Sequence, residues 1–247
     1  MTITAGVWRN YAEKLSQINA EAAKLITAWV DKYGLYDVQA LIDYAYGVAT
    51  KYGEAAAAWA AEMYDAIAAL SDETLLPAEV AETASYDDVS KTVIGVLKQS
   101  QNVALIGSAI GRLVKKAGVD TTLQNATRDE AQYAWIAIGE TCPFCLGIAA
   151  EGWKRASDNR HPKEHIHGNC DCTYSVRFRE DTEVEGYDPR LYQQIFEEAE
   201  GDTEEEKLNY LRRQAYAENK EEINAQKRDA YEKRQELNSS KAEEIDV

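Results

Sequence analysis

The sequence predicts an α+β fold that is predominantly α, and three observations carry that prediction. Only 4 Pro and 14 Gly punctuate 247 residues rich in Ala, Glu, Leu and Lys, which are helix formers. Long stretches repeat apolar residues at steps of three and four, whereas two short runs, near Tyr133–Ile138 and Thr173–Phe178, are dense in aromatic and β-branched types. All four cysteines, Cys142, Cys145, Cys170 and Cys172, fall between those two runs. The expected organisation is a helical N-terminal region over 1–84, a small mixed α/β core over 85–187 and a charged helical C-terminal arm over 188–247.

The first helix is read from Trp8, Tyr11, Leu15, Ile18, Ala22, Leu25 and Trp29, which share one face, and Gly34 ends it. A second helical pattern runs through Val38, Leu41, Ala45 and Val48 to Tyr52-Gly53. A third follows through Trp59, Met63, Ala66, Ile67 and Leu70. Trp29 and Trp59 lie at helical spacing and are read as packing residues. Ser85 and Asp88 form a capping pair for a helix through Val89, Val93, Val96 and Leu97. Another helix spans Val103 to Val114, closed by Ala117-Gly118, with a short one from Thr121 to Arg128. Gly107 and Gly111 inside the former have the spacing of a close helix contact. The first strand follows, then the cysteines and the second strand. From Asp188-Pro189 the chain returns to helix, interrupted at Gly201. Beyond residue 202 charged side chains outnumber large apolar ones, so this arm buries little against the body and is read as a solvated helix that docks on a partner.

A formal net charge of −16 repels a phosphate backbone and argues against nucleic-acid binding through the surface as a whole. The basic cluster near the cysteines, Lys154, Arg155, Arg160, His161 and Lys163, is read as a solvated loop. No apolar window reaches the length of a membrane span and the N-terminus has no basic, then apolar leader, so a soluble, non-secreted protein is expected.

Cys142-Pro-Phe-Cys145 brings two sulfurs to one side of a turn, and Cys170-Asp-Cys172 supplies two more, as in a structural zinc site. Zn²⁺ takes four tetrahedral donors, and two sets are open. One is Cys142, Cys145, Cys170 and Cys172; the other replaces a sulfur of the second pair with His167. Either set closes the coordination sphere, which makes the metal a clip between strands and not a catalyst. The competing reading is a glutaredoxin-like thiol oxidoreductase using Cys142 and Cys145, with the following helix lowering the thiol pKa. That fold needs a cis-proline opposite the pair, and neither Pro162 nor Pro189 follows the expected strand. His161, Glu164 and His165 spell a zinc-peptidase motif, but the adjoining Arg160, Pro162 and Gly168 mark a loop where that motif needs a helix. With no acid, base and nucleophile constellation, the chain is read as a non-enzyme.

The stretch Asn125-Ala-Thr-Arg-Asp-Glu-Ala-Gln-Tyr-Ala-Trp-Ile136, then Gly139-Glu-Thr-Cys-Pro-Phe-Cys145, resembles the minor head proteins of tailed bacteriophages, the phage Mu F-like head-morphogenesis group. His165-Ile-His-Gly-Asn-Cys-Asp-Cys172 with the strand after it, and Gly186-Tyr-Asp-Pro189, continue the resemblance, which covers about residues 85–200. Gly168 and Asp171 depart from the residues common in that group without touching a donor atom. The resemblance implies a virion protein of the phage head, present in the host cytoplasm during assembly, that joins the procapsid near the portal vertex. Its implied partners are portal or major capsid protein, with packaged DNA as a further candidate and no membrane.

Overall fold

The computed structural model describes residues 1–99, 103–137, 142–156, 172–221, 224–225 and 228. Its elements run β1 (Thr2–Ile3), α1 (Ala5–Tyr33), α2 (Val38–Leu70), α3 (Tyr86–Gln99), α4 (Val103–Arg128), β2 (Gln132–Ile136), α5 (Pro143–Ala150), β3 (Lys154–Arg155), β4 (Thr173–Arg177), β5 (Glu183–Val184), α6 (Pro189–Glu198) and α7 (Glu204–Glu218). The class is α+β, predominantly α.

The long helices begin and end where local chemistry dictates. Thr4 caps α1 by accepting from the Val7 N–H, and Asp37 caps α2 by accepting from the Ala40 N–H at 2.9 Å. Gly34, at φ 73°, stops α1 with its N–H on the Val30 carbonyl. The Ser85–Asp88 pair holds the start of α3 reciprocally: each backbone N–H reaches the other's side chain at 3.2 Å. The apolar stripe of α1 is buried at Trp8, Tyr11, Leu15 and Ala22, with Ile26 and Val30 extending it as the helix drifts around its axis. α1, α2 and α4 pack against one another, and α3 lies on α2 and α4.

Two breaks expected from the sequence are absent. The chain runs through Gly53 as one helix, α2, and through Gly118 as one helix, α4. Both glycines are there for contact and not for termination. A Cβ on Gly53 would meet Thr83 at 3.0 Å, and one on Gly118 would lie 3.1 Å from the Ala56 carbonyl oxygen. The Gly107/Gly111 pair is a close contact of the same kind. A Cβ would stand 2.7 Å from the Ala23 carbonyl at Gly107 and 3.2 Å from that of Asn19 at Gly111, so α1 and α4 touch backbone to backbone. A glycine in a helix interior costs about 1 kcal/mol relative to alanine; here it lets two helices approach at the distance their neighbours require.

Residues 71–85, which join α2 to α3, run over α4 as a strap whose backbone is held by side chains. Asn125 reads Glu79 in both directions, accepting its N–H at 2.9 Å and donating to its carbonyl at 2.8 Å. Thr121 accepts from the Ala81 N–H, and Asp65 of α2 from that of Ala78. Arg128 donates to the carbonyls of Leu76 and Pro77 while gripping Asp129, which also accepts from the Tyr64 hydroxyl at 2.8 Å. A segment without regular structure thus satisfies several of its backbone groups through side chains of α4 and through Asp65 of α2.

β2 is the centre of a three-stranded antiparallel sheet in the order β3-β2-β4. Its register sets Tyr133 opposite Val176 and Trp135 opposite Tyr174, so these four share a face. Ala134, Ile136, Thr173 and Ser175 occupy the other, from which Thr173 reaches the buried Tyr11 of α1. α4 packs on β4, whereas α5 packs on β2, α6 and α7, so the sheet links two groups of helices. A second, two-stranded pairing sets β1 parallel to β5, tying the start of the chain to residues 183–184. One hydrophobic core contains residues from Ile3 to Val184.

Candidate metal centre

The Cys142-x-x-Cys145 pair is built by the start of α5. Cys142 is the N-cap in extended conformation, Pro143 occupies the first helical position, and the Cys142 sulfur accepts the Cys145 N–H at 3.4 Å. That bond holds the Cys142 sulfur against the backbone of Cys145 on the first turn of α5. Cys142 is half-buried against the core and Cys145 is 0% exposed. Cys172 directly precedes β4 and is 1% exposed. It belongs to the same core as Cys145.

Of the five predicted ligands, Cys142, Cys145 and Cys172 are therefore placed, and His167 and Cys170 lie outside the described residues. His161, Glu164 and His165 lie outside them as well. Among the described residues no three His, Cys, Asp or Glu side chains make a group that would hold a metal. The residue types are those of zinc ligands, but the structure does not bring the three placed cysteines together as one such group. Two cysteines sit on one helical turn, and a third is buried at the head of the strand that pairs with the strand leading into that turn. Of the basic cluster, Lys154 is ion-paired with Glu151 and Arg155 continues β3.

Several residues around the cysteines were not legible as site residues. Trp135 and Tyr174 meet edge to face at 4.7 Å, and Tyr133 packs on Tyr174 at 5.2 Å. Burial pushes the Tyr174 phenol far above its ordinary pKa, and negative charge at Tyr133, Glu151 and Cys145 adds to that. Burial likewise raises Tyr192 of α6, with a contribution from Cys172. Lys115 of α4 is 3% exposed and its ammonium lies 5.4 Å from the centre of the Trp135 ring. In the sequence Lys115 is simply half of a Lys-Lys pair. Tyr187 anchors α5 from the other side, donating its hydroxyl to the Ala149 carbonyl at 2.8 Å, and Gln193 of α6 donates to Ala150.

No helix among the described residues is long and apolar enough to cross a membrane. No curated protein and no solved structure matches the chain. A family model described as VG15 protein matches residues 2–199. That match takes in the helical bundle, the sheet and the cysteine-bearing turn, and it stops before α7. The chain therefore belongs to the VG15 protein family and is a phage protein.

Proposed function

We propose that this phage protein is a structural minor capsid protein of the head-morphogenesis type, not an enzyme, and that a structural zinc ion clips its centre together. The observation that carries the reading is the placement of Cys142 and Cys145 on the first turn of α5 with Cys172 buried at the head of β4. Zinc held by these sulfurs and by a donor from His167 or Cys170 fixes α5 to the sheet. It supplies cohesion to a region whose strands have only two to five residues. Apparent metal-binding energies of small zinc modules, about 10–16 kcal/mol, exceed what so small a sheet gains from its own pairing.

Metal analysis of the purified full chain tests this. About one equivalent of zinc is expected, with loss of the metal and a lower Tm for Cys145→Ser or Cys170→Ser. The thiol oxidoreductase reading draws on the same turn, because Cys142 is a half-buried sulfur at a helix N-terminus. It predicts the reverse: a folded, metal-free protein whose Cys142 and Cys145 cycle with a dithiol. The antiparallel pairing of the sheet favours the metal.

The docking role is assigned to the C-terminal arm on portal or major capsid subunits. The apolar stripes of α1 and α2 are already buried within the bundle, whereas α7 buries Leu211 alone. Its start is firmly set by a capping box of Thr203 and Glu206, so α7 is a preformed helix that rests on α5 and leaves most of its surface uncovered. A chain truncated after Gly201 should still fold, with a Tm lowered by the loss of the Leu211 contact on α5, and be missing from heads purified after complementation. Incorporation at wild-type level would assign docking to another surface. Detection of the full-length protein in purified heads tests the virion location.

A further inference from the structure

The second half of α7 presents cations that the fold itself does not use. Leu208, Leu211 and Ala215 share the face on which the helix packs, and beyond Leu211 every residue of α7 except Ala215 is exposed. Arg213 and Tyr216 stand one turn apart on the opposite face, with Arg212 beside them. Arg212 donates to the Asn209 side chain at 3.3 Å, and among the described residues neither arginine enters an ion pair. Arginine and tyrosine on an uncovered helix face are the side chains that supply most of the energy in protein contacts.

The far end of the bundle carries the complementary chemistry. Tyr36, in the turn from α1 to α2, is 80% exposed, and Tyr33, in the last turn of α1, is 55% exposed. The exposed carboxylates of Asp31, Asp37 and Asp43 surround them in the chain. The Lys32 ammonium already lies 4.9 Å from the centre of the Tyr33 ring, so a tyrosine of this corner takes a cation against its ring. A guanidinium suits both partners, because its fork pairs with a carboxylate and its plane stacks on a phenol ring.

One chain does not bring its own two surfaces together. α1 starts with the Ala5 N–H on Glu185, two residues before the Tyr187 that anchors α5, and runs 29 residues, about 43 Å, before it reaches the corner. α7 packs on α5, at the near end, and both surfaces stay exposed. A net charge of −16 makes two copies repel in most orientations, so the contact that gains is the one that sets arginines of one copy on carboxylates of another. We infer that the arm docks on a second copy of this chain, with Arg212, Arg213 and Tyr216 seated on the Tyr33, Tyr36 and Asp31 corner. Different surfaces meet, so the contact is head to tail and builds a ring or an open row of copies. The inference rests on the reading of α7 as a docking helix and gives it a further partner.

Sedimentation velocity of the purified full chain, from about 1 to 100 μM, should show species larger than the 27.6 kDa monomer. Arg213→Glu and Tyr36→Ala should each weaken that association by about tenfold or more. Both side chains are exposed, so both variants should keep the wild-type Tm. Mixed in equal amounts, the two variants should recover a dimer and nothing larger, because each retains the surface that the other lacks. A mixture that recovers no dimer overturns the head-to-tail contact. A wild-type chain that stays monomeric throughout, or an association that neither variant weakens, overturns the inference as a whole. Portal and capsid subunits are absent from this assay, so such a result leaves docking of the arm in the head to be decided by the truncation after Gly201.

Discussion

Replacing Arg128 with Met should release the strap that crosses α4, and the expected size of the effect follows from the bonds lost. The guanidinium makes two short charge-assisted bonds to Asp129, at 2.8 and 2.7 Å, and donates to the carbonyls of Pro77 and Leu76 at 3.1 and 3.0 Å. Asp129 is the costly partner to abandon, because only 9% of its side chain is exposed and it would keep the Tyr64 hydroxyl alone. A hydrogen-bonded charge pair of this kind is worth about 1.5–3 kcal/mol, and the two neutral acceptors on the exposed strap add about 0.5–1 kcal/mol each at most. The sum is about 2.5–5 kcal/mol, read as a shift in the urea midpoint at unchanged slope. Hydrogen exchange should show the loss concentrated at Ala78, Glu79 and Ala81, the amides held by Asp65, Asn125 and Thr121. The pH dependence has a definite sign. The Arg128 bonds, against the opposing pull of burial, hold the Asp129 carboxyl below its ordinary range, so the stability it contributes is present at neutral pH. That contribution is lost as pH falls through the depressed value. Without the guanidinium the Asp129 pKa rises, so the variant begins to lose stability at a higher pH than wild type. A loss under about 1 kcal/mol at neutral pH, with strap amides as protected as before, would refute the view that Arg128 is the latch.

The helix contacts give a paired prediction. Gly107→Ala should destabilise by about 1–3 kcal/mol, because its Cβ would stand 2.7 Å from the Ala23 carbonyl. Gly95→Ala, in α3 with nothing within 4 Å, should stabilise by about 0.5–1 kcal/mol, and thermal melts of the two variants check the contrast. Thr203→Ala removes the side-chain cap of α7 and should fray that helix at a cost of about 1 kcal/mol, visible as faster exchange in its first turn with the global Tm unchanged. Zinc chelation should melt the segment around α5 and β4 before the α1–α2–α4 bundle, which near-UV dichroism and helical dichroism separate.

Much of the fold was legible because it is written in local patterns. The stripe of α1, the Ser85–Asp88 cap, the two strands and the Cys142 turn each depend on residues within a few positions of one another. Gly53 and Gly118 misled for a physical reason. A glycine that ends a helix and a glycine that admits a neighbouring chain look alike until the neighbour is in place, and here the neighbours are Thr83 and the Ala56 carbonyl. The same limit applies at the site. Cys142, Cys145 and Cys172 declare themselves by chemistry and spacing, but Trp135 and Tyr174 look like any strand residues. Their polar atoms became conspicuous only when β2 and β4 paired and buried them without a partner among the described residues.

By itself, the order of residues determined the class and most of the secondary structure, and it singled out the cysteines as candidate ligands, since these follow from backbone preference, amphipathic period and residue chemistry over short distances. Tertiary structure alone decided that α2 and α4 run unbroken, that α1 and α4 meet through glycine, and that Arg128 and Asn125 hold a strap some fifty residues earlier in the chain. It also set Tyr174 and Trp135 beside the cysteine-bearing turn. Each of these is a contact between distant segments, whose energy exists only once the chain has brought both partners out of water.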